Sequence, residues 1–302
     1  MTVNLVNVLD IGADGINEVV DLAAKLKADP SSVAGTRAGM RVGLFFEKPS
    51  TRTRVSCEVG VAQLGAQPLV LKNEEVGLGT REAPQDVARV LERYLDVLAF
   101  RVFDHRNLEL MVEHVDAPVI NLLSDLEHPC QAIADLLTVA EHRPLQGASI
   151  AYVGDGNNVA HSLMLASGAV GASVRVATPE GYEPCKSVVE QARAGAIDGA
   201  DILITNDPMF AVAGADAVYT DVWTSMGSEA EADERRNIFE PFMVTEALFE
   251  SAGSGAIFMH CLPAHRGEEV ADGVMEHARS RVFDQAENRL HAFKAILLHL
   301  TA

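Results

Sequence analysis

A chain of 302 residues with 48% hydrophobic content can bury two cores, so two domains of about 150 residues are expected. A net charge of −19 argues against nucleic acid as a partner, and four scattered cysteines, Cys57, Cys130, Cys185 and Cys261, form no CxxC pair, which speaks against a disulfide framework or a zinc ribbon. No run reaches the roughly 18 apolar residues of a membrane helix, and the opening M-T-V-N-L-V-N-V-L-D lacks the basic region of a signal peptide, so a cytoplasmic protein with no membrane association is expected.

Ile16 to Leu26 has the spacing of an amphipathic helix and carries no readable chemistry. The stretch from Arg41 to Gly65 carries more. Val42 to Phe46 reads as a buried strand, the chain turns through Glu47, Lys48 and Pro49, and a helix opens with Ser50 as its natural N-cap. The first turn bears Thr51, Arg52, Thr53 and Arg54. Orphan backbone N–H groups, three hydroxyls, two guanidinium groups and the positive end of the helix dipole can therefore meet at one point, which suits a dianion. Ordinary capping with two solvated arginines is the alternative. Val55, Val59 and Ala62 on one face, with Cys57, Val61 and Leu64 on another, predict a helix buried on both sides, and an arginine pair at a buried helix start needs an anionic partner.

Pro68 to Leu71 reads as a short strand, Lys72 to Ala83 as a loop of the length that closes over sites, and Gln85 to Tyr94 as a helix. Val97 to Phe100 is a strand ending at Arg101, whose side chain would point to the crevice where parallel sheets bind ligands. A strand from Pro118 to Leu122 leads to His128-Pro129-Cys130-Gln131 and a helix over Ala132 to Glu141. Pro129 suits the first helical position, which puts His128 at the cap and Gln131 one turn on. The histidine can donate to a carbonyl oxygen while the glutamine amide reads a neighbouring NH2; a capping histidine with a structural glutamine is the alternative.

A break over Arg143 to Gly147 begins the second half. The strand Ser149 to Val153 is followed by G-D-G-N-N-V-A-H-S, which invites a dinucleotide reading. That reading is weak: the third glycine position is Val159, and the strand Val174 to Ala177 ends at Thr178 where a ribose-binding carboxylate should stand. Asn157 and Asn158 suit the polar atoms of an amino acid better. Ala217 to Thr220 runs into D-V-W-T-S-M-G, from Asp221 to Gly227, and Ala256 to Met259 into His260-Cys261-Leu262-Pro263. Asp221 can pair with an ammonium group, and Cys261 can meet an amine as weak acid or base. A helix cap at Asp221 and a partial metal site of His260, Cys261 and His265, lacking a fourth ligand, are the alternatives.

With S-T-R-T-R, H-P-C-Q, D-V-W-T-S-M-G, H-C-L-P-A-H-R-G and D-Q-A-E-N-R-L-H in this order, nearly the whole chain resembles the aspartate/ornithine carbamoyltransferases. Its S-M-G segment looks like the ornithine branch rather than the aspartate or putrescine ones. The resemblance implies an α/β fold of two doubly wound domains, each a mostly parallel sheet flanked by helices, joined by interdomain helices. Residues 1–143, completed by a C-terminal helix at about 287–302, would bind carbamoyl phosphate, and residues 144–286 ornithine. Ser50, Thr51, Arg52 and Thr53 would hold the phosphate, and Arg101, His128 and Gln131 the phosphate and carbamoyl ends. Asn158, Asp221, Ser225 and Met226 would bind ornithine, with Cys261, Leu262 and Arg289 completing the site between the domains.

The implied reaction is attack of ornithine's neutral side-chain amine on the carbamoyl carbon, giving citrulline and phosphate. Thr53, Arg101 and His128 would stabilise the oxyanion, Cys261 would stand beside the amine, and neither metal nor organic cofactor is implied. The family also implies a homotrimer or a multiple of it. In relatives the loop equivalent to Lys72 to Ala83 often presents Gln or His to a neighbouring subunit's site; here Gly77 stands there, leaving backbone or Arg81 to do any reaching. Another acceptor amine, such as putrescine or acetylornithine, is the alternative within the class. An NAD(P)-dependent dehydrogenase and a silent sensor of phosphorylated metabolites are the alternatives outside it.

Overall fold

Short apolar runs alternate with helix-length segments along this chain, and that alternation favours parallel sheets because each return passes over a sheet face. The computed structural model describes residues 3–224 and 231–302, so Ser225 and Met226, two of the expected ornithine-binding residues, lie outside the described residues. Two units result: Met1–Leu137 with Glu287–Ala302, and Thr138–Ala286. The chain passes from one unit to the other within two helices, Pro129–Ala140 and Val282–Leu300.

In the first unit the elements are α1 (Gly12–Ala28), β1 (Arg41–Phe46), α2 (Thr51–Gln63), β2 (Gln67–Lys72), α3 (Asn73–Val76), α4 (Pro84–Leu91), β3 (Val97–Arg101), α5 (Arg106–Val112), β4 (Val119–Leu123) and α6 (Pro129–Ala140). The four strands form a parallel sheet in the order β2-β1-β3-β4. Its central strands are buried on both faces, as continuous apolar runs require, and Phe45 meets Phe100 at 5.5 Å between ring centroids.

The second unit contains β5 (Ser149–Val153), α7 (Asn158–Ala169), β6 (Ser173–Ala177), α8 (Lys186–Gly195), β7 (Ile202–Thr205), α9 (Pro208–Val212), β8 (Ala217–Thr220), α10 (Ala232–Phe239), α11 (Glu246–Glu250), β9 (Ile257–His260) and α12 (Asp272–Met275). Its parallel sheet runs β7-β6-β5-β8-β9. The last helix, α13 (Val282–Leu300), returns to the first unit. There Lys294 donates to Gln63 at 2.8 Å, Lys27 donates to Asn288 at 2.8 Å, and Arg37 donates to Thr301 at 2.9 Å. Gly60 permits that approach, since a Cβ there would stand 3.3 Å from Leu290 and Lys294 side-chain carbons.

Two expectations are corrected. Helix α2 is not buried on both sides: Cys57, Val61 and Leu64 are covered, but Val55 and Val59 are 50% and 41% exposed. The Val55–Val59 face, seen in the sequence as core, is left uncovered by the sheet and α13. The Lys72 to Ala83 segment is not a plain loop either. It holds the helical turn α3, closed by Gly77 at φ 68° in the left-handed region, and a Cβ at 77 would lie 2.7 Å from that of Arg81. The Arg81 guanidinium is engaged inside the segment, donating to the Glu75 carbonyl at 2.8 Å and to Glu82 at 3.1 Å. Among the described residues no helix is long and apolar enough to cross a membrane.

Candidate functional site

In a doubly wound sheet, ligands bind outside the carboxyl ends of the strands where the strand order reverses. In the first unit that point lies between β1 and β3, and in the second between β5 and β8. Ser50 and Arg101 stand at the first of these points, and Asn158 and Asp221 at the second.

In the first unit, the chain leaving β1 enters α2 through Ser50, whose hydroxyl accepts the Thr53 N–H at 3.4 Å. Thr53 is buried, and its hydroxyl oxygen accepts from Ser50 Oγ at 3.0 Å and from the Arg289 guanidinium at 2.5 Å. Thr51 lies exposed at the same helix start and Arg52 half-buried. Arg54 does not join them: its side chain is turned outward and paired with Glu58 one turn on, at 3.3 Å. Arg101 ends β3, where the register against β4 shifts between Phe100 and Arg101, an irregularity that re-aims a side chain at the strand end. Arg101 and Arg289 are only 5% and 8% exposed.

His128 caps the start of α6 and is held from behind by residues that sequence reasoning passed over. Asn121 donates to the Val6 carbonyl at 3.0 Å and to Ser124 at 3.2 Å, Ser124 N–H donates to the Glu127 carbonyl at 2.9 Å, and the Glu127 carboxylate accepts the Val8 N–H at 2.9 Å. Burial, then the charges of Arg289 and Arg101, push the His128 imidazole well below its ordinary range. At neutral pH it is an uncharged donor. Gln131, one turn along, is buried and donates its amide NH2 to Asp135 at 2.7 Å.

In the second unit, Asp221 follows β8 and accepts from two sides, the Asn157 amide at 3.0 Å and the Cys261 thiol at 2.9 Å. Asn157 is therefore a structural residue. Its Oδ1 also caps α7 by accepting the Val159 and Ala160 N–H groups at 2.9 and 3.3 Å, which leaves Asn158, half-buried, as the outward candidate. Cys261 follows β9, and Leu262 next to it takes φ 60°, with its N–H bound by His260 Nδ1 at 2.9 Å. Behind this group sits Arg235, a buried residue the sequence did not single out. It donates to Asp155 at 2.5 Å and to the Trp223 carbonyl at 2.6 Å, and it lies over the Tyr182 ring. Burial raises Asp155 to about 6 against the pull of Arg235.

The geometry also bears on the alternatives. The Gly156 N–H, which a pyrophosphate would need, donates to the Tyr182 carbonyl at 2.9 Å, and a Cβ at 156 would lie 2.2 Å from the Pro184 nitrogen. The G-D-G turn is thus filled by its own chain. The donor atoms of Asp221, His260 and Cys261 lie within 4.8 Å of one another, but both ring nitrogens of His260 are used, Nδ1 by Leu262 and Nε2 by Glu269 at 3.1 Å. His265 belongs to a different group, with Glu268 and Glu269.

Two family models match successive parts of the chain. Residues 4–141 match the family model for the aspartate/ornithine carbamoyltransferase carbamoyl-P binding domain, and residues 146–300 match that for the Asp/Orn binding domain. The chain belongs to the aspartate/ornithine carbamoyltransferase family. Within it, similarity is to the ornithine enzymes. The ornithine carbamoyltransferase of Parasynechococcus marenigrum is 53% identical over 96% of this chain and 91% of that protein. The Pyrococcus furiosus ornithine carbamoyltransferase structure matches with a TM-score of 0.94 at 47% identity, covering 98% of this chain and 97% of that one. The anabolic enzyme of Campylobacter jejuni matches with a TM-score of 0.94 at 35% identity, covering 100% and 99%.

A histidine whose folded-state pKa is depressed costs stability as pH falls, because the unfolded chain takes up the proton first. His128 is therefore expected to stay neutral through pH 6.5 in an imidazole 15N NMR titration, and to lower unfolding free energy by up to about 1.4 kcal/mol per pH unit between 6.5 and its own midpoint. Arg289→Met should move that midpoint upward. A midpoint at or above 6.5 in the unaltered protein would contradict the neutral assignment.

Proposed function

We infer that the chain transfers the carbamoyl group of carbamoyl phosphate to the side-chain amine of L-ornithine, giving L-citrulline and phosphate. The observation that carries the reading is the chemistry of the two switch points. One gathers Thr53, Arg101, Arg289 and a neutral His128 at a helix start, a surrounding suited to a dianion; the other presents a carboxylate, a thiol and amide groups, suited to an amino acid.

On this reading Ser50, Thr51, Arg52 and Thr53 hold the phosphate with Arg289. Thr53 accepts two hydrogen bonds, so its own proton is left to donate to the ligand. The amine nitrogen forms a bond to the carbamoyl carbon as the bond to the phosphate oxygen breaks, and charge accumulates on the carbonyl oxygen. Arg101, His128 and Thr53 stabilise that charge, a preorganised donor being worth about 3–4 kcal/mol. Only an unprotonated amine can attack, and its surplus proton can leave on the departing phosphate, itself a base. Asp221, Asn158, Ser225 and Met226 hold the amino acid, with Cys261 and Leu262 beside it, and no metal or organic cofactor enters the reaction. Relatives named anabolic favour a place in arginine biosynthesis, and four free cysteines suit the reducing cytoplasm.

The test is a comparison of acceptors with carbamoyl phosphate, following ureido product and phosphate. L-Ornithine should exceed putrescine, acetylornithine and aspartate in kcat/KM by at least about 100-fold, because the Asp221 carboxylate would lose its ammonium partner or meet a second negative charge. Equal use of putrescine would defeat the ornithine assignment. We also propose a homotrimer or a multiple of it, in which a neighbouring copy covers the exposed valines of α2. Light scattering should give the mass of three chains or a multiple; a monodisperse monomer would refute this.

A further inference from the structure

We propose that Asp135 is a positioning residue that fixes which end of the Gln131 amide faces the carbamoyl group, and through it sets the preference for carbamoyl phosphate over acyl phosphates that lack an NH2. The inference rests on the reading of the first unit as the carbamoyl-phosphate site.

A glutamine amide has a donor end and an acceptor end of nearly the same shape, so its orientation is decided by its neighbours. Gln131 and Asp135 stand one turn apart on α6, each 1% exposed, with Gln131 Nε2 2.7 Å from Asp135 Oδ1. The Asp135 oxygen that receives the amide N–H acts there as an acceptor. Turning the amide over would set two oxygens against each other at that distance, so the NH2 end is fixed on Asp135 and Oε1 faces the other way. Oε1 is buried and accepts no hydrogen bond among the described residues. Leaving a buried acceptor unpaired is costly, so the arrangement favours a ligand that brings a donor. Gln131 shares its helical turn with His128, to whose carbonyl its own N–H donates at 3.0 Å. The neighbouring Cys130 thiol is directed elsewhere, to the Asn121 carbonyl at 3.4 Å. The carbamoyl group carries an NH2 on the carbon whose oxygen His128 would polarise, and that NH2 is the donor Gln131 Oε1 lacks. In acetyl phosphate a methyl group takes its place and leaves Oε1 unpaired.

The experiment measures KM for carbamoyl phosphate and the inhibition constant of acetyl phosphate in the ornithine reaction. In the unaltered protein acetyl phosphate should be weaker by at least about tenfold. In Asp135→Asn, whose side chain can face either end of Gln131, the ratio of the two constants should narrow by about tenfold or more. A purely structural role would weaken both ligands alike and leave the ratio unchanged, and an unchanged ratio overturns the proposal. Asp135→Ser replaces the asparagine variant if that one does not fold. In a Gln131→Met background the Asp135 substitution should alter the ratio less than about twofold; a full effect there would mean that Asp135 does not act through Gln131. Absence of ornithine turnover in the unaltered protein would remove the functional reading and this inference with it. Normal turnover with an unchanged ratio would remove this inference alone.

Discussion

Two guanidinium groups held beside one imidazole in a nearly dry setting are the interaction on which the rest of the first unit depends. Burial, and then the charges of Arg289 and Arg101, keep His128 uncharged. A neutral imidazole can donate a hydrogen bond without adding a third positive charge, so the cations remain available to an anionic ligand. The same cations make the place costly unless such a ligand or another negative group answers them. The surrounding detail can be understood as support for that arrangement. The Asn121–Ser124–Glu127 network fixes the turn that carries His128, the register shift at Arg101 turns its side chain, and the Thr53 hydroxyl receives Arg289.

Topology explains why these residues meet although they are far apart in sequence. The reversal of strand order between β1 and β3 opens the sheet's carboxyl edge where Ser50 and Arg101 emerge. Arg289 reaches the same place from the far end of the chain because α13 lies on α2, an approach that Gly60 allows. The second unit repeats the device with different chemistry. Asp221 and Asn157 leave the strands β8 and β5 that flank its own reversal, and they meet across it at 3.0 Å.

Much of this was legible in the sequence. Strands β5 and β8 fall where their apolar runs end, and Ser50 caps α2 as its residue type suggests. What the sequence could not give was three-dimensional company. Val55 and Val59 look like core in a helical pattern, yet only contact with α13 and the sheet decides which faces of α2 are covered. Arg54 and Arg52 differ by half a turn, and that angle separates a surface ion pair with Glu58 from a place at the helix mouth. Asn157 has the chemistry of a ligand group but is used as a cap and as a support for Asp221. The partnership of Arg289 with Thr53 spans 236 residues and has no local signal; family resemblance brought Arg289 into the site but did not name this partner. Arg235 and Asp135 act through neighbours that are spatial as much as sequential, and neither stands in a motif.

The most direct test of the account is calorimetric titration of carbamoyl phosphate into the unaltered protein and into Arg52→Leu. A charge-assisted contact at the helix mouth is worth about 1.5–3 kcal/mol, so the variant should bind at least about tenfold more weakly while unfolding at the same temperature. Undiminished affinity for carbamoyl phosphate, with the loss confined to ornithine, would contradict the assignment of this helix start to the dianion.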